Sequence, residues 1–150
     1  MTLPRIVADG VSEPLIRRAF QRLNELVVRP LSRWDLNIPI VDGGDAELTT
    51  GLKAHVHLTA DCRILEATLM AAQAGSLKVD VWAAAWDSFP PADGDSICGG
   101  YELEISGGQN AVASVANWSP VLAADTVLAF NVDSCTTVQR ATVHLRMELN

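Results

Sequence analysis

A chain of 150 residues is one domain's length, large enough to bury about two-thirds of the surface its unfolded form exposes, so its core needs no metal or disulfide staple. Its apolar residues are mostly Ala, Val and Leu, and no uninterrupted run of them reaches the roughly 20 residues that span a bilayer, so no membrane insertion is expected. The net charge of −7 is unevenly placed, with six arginines against three acidic residues in 1–33 and five basic against fifteen acidic residues in 34–150; the acidic body argues against nucleic acid as a partner, because counterion release needs a basic surface.

In the first ten residues Pro4 and Asp9 stand where a secretory leader would carry an apolar stretch, so export by the usual route is not expected and the chain is made in the cytoplasm. Cys62, Cys98 and Cys135 are odd in number and widely spaced, which fits buried thiols in a reducing compartment better than a disulfide framework.

Residues 13–28 are predicted to form a helix. Ser12 fits the N-cap, Pro14 the first turn, and Pro30 prevents continuation. Ile16, Ala19, Leu23 and Leu26 recur at helical spacing, and Leu15, Phe20 and Val27 widen the apolar stripe. Two heptads are too short for a stable isolated coiled coil. The stripe is therefore expected to be covered, by the chain's own β-domain, by other parts of an assembly or in a short trimeric bundle, making residues 1–33 an anchor segment.

Residues 34–51 are predicted to be an extended connector, with Ile38-Pro39-Ile40 as its straight part and Asp42-Gly-Gly-Asp45 and Thr49-Thr-Gly51 as turns. From residue 52 the apolar period changes to two. Leu52, Ala54, Val56 and Leu58 form one such run, Leu65, Ala67, Leu69 and Ala71 a second, and Leu77, Val79 and Val81 a third. Leu128, Phe130 and Val132 follow, then Ala141, Val143, Leu145, Met147 and Leu149, with weaker runs near 101–105 and 112–118. Seven or eight short strands with Gly, Pro and Asp turns and no helix between them indicate a mainly β fold. The expected form is an antiparallel β-sandwich, jelly-roll-like, over 52–150, preceded by the one N-terminal helix.

Chemistry-bearing residues are present but not in catalytic arrangements. His55, His57 and His144 sit on polar strand faces without metal-ligand spacing. Glu102 and Glu104 form a same-face pair between glycine pairs, an exposed hairpin rather than the shielded setting a general acid needs. Asp87, Asp93, Asp95 and Asp125 fit turns. The chain is expected to be no enzyme and to carry no metal and no cofactor. The bulky residues Trp82, Trp86, Phe89, Tyr101 and Trp118 are candidate surface-recognition aromatics, since aromatic rings anchor interfaces and sugars at little entropy cost.

Several of these residues also carry a resemblance. Val79-Asp-Val-Trp82, Phe89-Pro-Pro91, Asp95-Ser-Ile97, Trp118, Leu122-Ala-Ala124, Phe130-Asn-Val-Asp-Ser134 and the alternating run from Val138 to Leu149 stand in that order over about the last 100 residues. In that order and spacing they resemble the β-sandwich domain of tailed-bacteriophage virion surface proteins, of the tail-fibre, spike or head-decoration type. The resemblance implies a homotrimer on a phage-like virion, with no catalytic motif to carry over. Residues 1–51 lie outside it, so contact with other virion proteins through that segment is expected on physical grounds alone. A host-surface glycan or protein is the implied outward partner. Two alternatives stand beside the fibre or spike role: a capsid decoration protein that stabilises the head lattice, and a free-standing carbohydrate-binding β-module.

Overall fold

The computed structural model describes residues 13–23, 25–26 and 32–150. It divides into two compact units, 1–33 and 34–150. In the first, helix α1 (Glu13–Leu23) places Arg22 in its last turn, where a cation suits the negative end of the helix dipole. Leu15, Phe20 and Leu23, and Leu26 beyond the helix, are each more than half exposed. Ala19 is exposed as well, and Ile16 is half-buried. Ser12, Val27 and Pro30, expected as cap, stripe residue and stop, lie outside the described residues.

Seven strands follow, the first beginning at the last residue of the first unit: β1 (Arg33–Val41), β2 (Gly51–Leu58), β3 (Cys62–Ala85), β4 (Leu103–Ala113), β5 (Val121–Leu122), β6 (Thr126–Thr136) and β7 (Arg140–Leu149). They form one curled antiparallel sheet, sandwich-like, in the order β1-β7-β3-β6-β2, with β4 and β5 also on β3. The mainly β fold with one N-terminal helix is thus as expected from the sequence.

The sheet curls because its central strand belongs to both halves. Residues 62–71 of β3 pair with β7, and residues 76–85 pair with β6. Strand β4 runs along β3 in both halves, but its register slips between Met70 and Gly75. At that corner a Cβ on Gly75 would lie 2.3 Å from the Thr136 carbonyl oxygen. Only glycine lets the two backbones approach so closely. The sequence predicts two separate strands here; the structure carries one through the bend.

A second irregularity, between Ile64 and Glu66, shifts the phase of β3. Cys62 and Ile64 are buried before it, Ala67 and Leu69 after it. Leu65, expected inside, is only half-buried because the bulge turns it out of phase. One core then fills the space between the halves, with Val79, Val81, Leu103, Ile105, Leu128, Phe130, Val143, Leu145 and Met147 facing inward.

The expected connector 34–51 differs most. Residues 33–41 are strand β1, hydrogen-bonded beside β7 in the sheet order. Ile38 and Ile40 are buried on either side of Pro39, and Leu48 joins the same core. The alternation Leu36, Ile38, Ile40 carries this strand, and Pro39 is tolerated because β1 is an edge. The β-unit therefore starts at Trp34 rather than at residue 52.

Candidate functional site

The strand pairing builds the candidate site on the outer face of one half-sheet. His55 of β2 lies opposite Ala129 of β6, and Ala129 lies opposite Trp82 of β3. His57, Val127 and Ala84 form the next row. Cross-strand partners share a face, so the two histidines stand beside Trp82, on the side of the sheet away from the main core. Val127 and Ala129 are nevertheless buried. The segment after β3, residues 86–96, returns to this face, with Trp86 and Phe89 against the two histidines, Ser96 bridged to Trp82 and Pro91 buried.

Asp80 ties that segment down. Its carboxylate accepts from the Val81 N–H at 2.8 Å, the Trp82 indole N–H at 2.7 Å and the Ser96 hydroxyl at 2.7 Å. The Ile97 N–H then reaches the Val81 carbonyl at 2.9 Å, and the Ser119 N–H reaches the Ile97 carbonyl at 2.8 Å. Asp80, Trp82, Ser96 and Ile97, all prominent in the sequence motif, thus form one internal scaffold.

This placement corrects part of the aromatic expectation. Trp82 is 9% exposed and Trp118 is 5% exposed. Both indole N–H groups are used internally, that of Trp118 donating to the Tyr101 carbonyl at 2.8 Å. Neither offers a face to a partner. Trp86, Phe89 and Tyr101 are 55%, 51% and 55% exposed and remain available.

Trp86 and Phe89 come together with the two β2 histidines. The Trp86 ring stacks on His57 with centroids 4.7 Å apart, and Phe89 lies 5.0 Å from His55. Trp86 and Phe89 are 6.2 Å apart and inclined by 31°. Asp125, in the left-handed conformation at φ 60°, holds the cluster from the turn before β6. Its carbonyl accepts from the Trp86 N–H at 2.8 Å, and its carboxylate lies 3.2 Å from His57 Nε2. The result is an exposed strip of two aromatic rings, two imidazoles and one carboxylate.

His144 is elsewhere. Its Nε2 lies 3.0 Å from the Asp35 carboxylate and its Nδ1 3.2 Å from the Thr68 hydroxyl. The three imidazoles are therefore not brought together, and no cluster of three metal-ligating side chains occurs among the described residues. Glu104 pairs with Lys78 at 3.5 Å on the exposed edge of β4. Burial raises the thiol pKa of Cys62, Cys98 and Cys135, which disfavours the reactive thiolate.

A cleft of about 190 Å³ lies between β1 and β2, lined by Trp34, Leu36, Val56 and their neighbours. It falls short of the roughly 300 Å³ at which small-molecule pockets begin. The histidine partners in the strip were invisible to sequence reasoning because they come from a strand thirty residues earlier. Their two-residue spacing was a signal, but it pointed only to a shared face.

No family model, curated protein or solved structure matches the chain.

Proposed function

We propose that this protein is a structural component of a phage-like virion, anchored by residues 1–33 and presenting residues 34–150 outward, as a fibre or spike type subunit in a trimer. The observation that carries the proposal is the apolar face of α1, where Leu15, Phe20 and Leu23 are exposed on a segment of opposite charge to the rest of the chain. Exposed apolar residues repeated along one helix are a contact surface more often than a solvated one. The order and spacing of the residues from Val79 to Leu149 support the same reading through their resemblance to virion surface domains.

The test is to purify particles from the source and count copies of the chain per particle by quantitative mass spectrometry. A few to a few tens of copies are expected for a fibre or spike. Hundreds would make it a capsid decoration protein instead. Absence from particles would overturn the virion reading and favour the free-standing binding module, for which the exposed Trp86–Phe89 strip supplies a surface.

A further inference from the structure

We infer that the strip formed by Trp86, Phe89, His55, His57 and Asp125 is a binding site for an uncharged saccharide unit. The inference deepens the attachment role proposed above and rests on it for its biological setting, but the site's chemistry can be tested apart from any particle.

Size is the first argument. Two half-exposed rings offer roughly 200 Å² of aromatic surface. Each side of a stable protein interface contributes about 800 Å², so the strip alone suits a ligand of one or two sugar rings better than a protein. Shape is the second. The Trp86 and Phe89 ring centroids are 6.2 Å apart, which leaves no room between the rings for a cation and makes the pair a surface to lie on rather than a cage. A pyranose can lay its C–H face on such a platform while its hydroxyls turn to the sides.

Polar groups stand where those hydroxyls would need them. The Asp125 carboxylate accepts hydrogen bonds, and the imidazoles of His55 and His57 can donate or accept. Charge sets the class. Asp125 and the neighbouring Asp87 lie in a body carrying fifteen acidic against five basic residues, so phosphate, sialate or uronate groups would be repelled. Rigidity supplies the rest. The Trp86 N–H is fixed to the Asp125 carbonyl, and the Asp80–Ser96 bond pins the far end of the segment. Little ordering is left to oppose binding.

The experiment titrates the full chain with chitobiose, lactose and maltose, reading saturation-transfer NMR and tryptophan fluorescence. Choline and inorganic phosphate serve as charged probes. At least one disaccharide is expected to bind saturably, with Kd of about 1 mM. Trp86→Ala and Phe89→Ala should each weaken it about tenfold or more. Tyr101→Ala, which removes an exposed ring outside the strip and keeps the backbone carbonyl that accepts from the Trp118 indole, should leave it unchanged. Trp86→Leu keeps apolar cover over His57 while removing the aromatic face, and serves if the alanine variant unfolds. Binding of no disaccharide, binding that survives loss of both rings, equal weakening by Tyr101→Ala, or binding of a charged probe alone would each overturn the site.

Particle counting on Trp86→Leu separates the two proposals. Wild-type copy number with sugar binding lost supports both. An unsubstituted chain that is present on particles but binds no sugar overturns the site and leaves the virion reading. A chain that binds sugar but is missing from particles does the reverse.

Discussion

Asp80 lies where the strand period would leave a polar side chain facing out, yet it is buried and its carboxylate accepts three hydrogen bonds, including one from the indole N–H of Trp82. Asp80→Ala would leave a buried indole donor and a peptide N–H without acceptors, and should cost about 3 kcal/mol, read as a lower urea midpoint. Asp80→Asn should cost less, because its amide oxygen still accepts. Equal losses would mean that the carboxylate's charge, not its acceptor count, holds the loop. Asp42 gives a prediction in pH. The Lys53 ammonium at 2.6 Å, with help from the Thr49 N–H and hydroxyl, lowers its pKa from 3.8 to about 2. A lowered carboxyl pKa stabilises the fold above the ordinary value, and that contribution is lost as pH falls through the folded one. The stability gap between the wild type and Asp42→Asn should therefore be constant from neutral pH to near 4 and close as pH approaches 2. Solvent screening keeps the gap small, and parallel pH profiles would remove Asp42 from the account of acid sensitivity. At this scale the sequence was partly legible. It singled out the five aromatics by bulk, but bulk does not report exposure, and Trp82 and Trp118 went inside because Asp80 and the Tyr101 carbonyl satisfy their N–H groups.

The elements were legible wherever alternation ran unbroken. The residues of β2 and β7 and the centre of β6 stand out as strands because each keeps one apolar face over several positions. Two kinds of feature hid the rest. Bulges reset the phase, so Leu65 reads as inward although Ile64 is the buried residue, and the runs at 65–71 and 77–81 read as two strands although β3 bends through the residues between them. Proline masked the other strand: Pro39 reads as a connector until the sheet supplies a neighbour on one side only, which is how β1 is placed. The corner of β3 is testable directly. Gly75→Ala would press a methyl group into the Thr136 carbonyl at 2.3 Å, and backbone on both sides cannot yield as a flexible side chain would. A loss of about 3 kcal/mol is expected in denaturant unfolding. Gly94→Ala, with open space around the added carbon, should stay within about 0.5 kcal/mol. If the two variants unfold alike, the corner tolerates more separation between β3 and the β6–β7 turn than the close approach implies.

In the whole molecule the question is which surfaces invite other chains. The sheet ends are guarded against casual pairing: β1 carries Pro39, β2 is bulged between Leu52 and Ala54 and carries Lys53, and β4 is broken in register near Gly107 and Gly108. These devices discourage strand addition at the edges. Helix α1 exposes Leu15, Phe20 and Leu23 along its length, and on the proposed reading assembly belongs to the helix and display to the β-unit. The assignment predicts a separation of effects. Phe20 and Leu23 are each more than half exposed in the single chain, so Phe20→Asp combined with Leu23→Asp removes little packing within it. The urea midpoint of the β-unit should stay within experimental error of the wild type, while sedimentation should show any oligomer dissociating and particle counts should fall toward zero. A large loss of β-unit stability would mean that the helix serves the fold rather than assembly. Unchanged sedimentation and particle counts would move the assembly surface to the sheet, with the cleft between Trp34, Leu36 and Val56 as the next place to substitute.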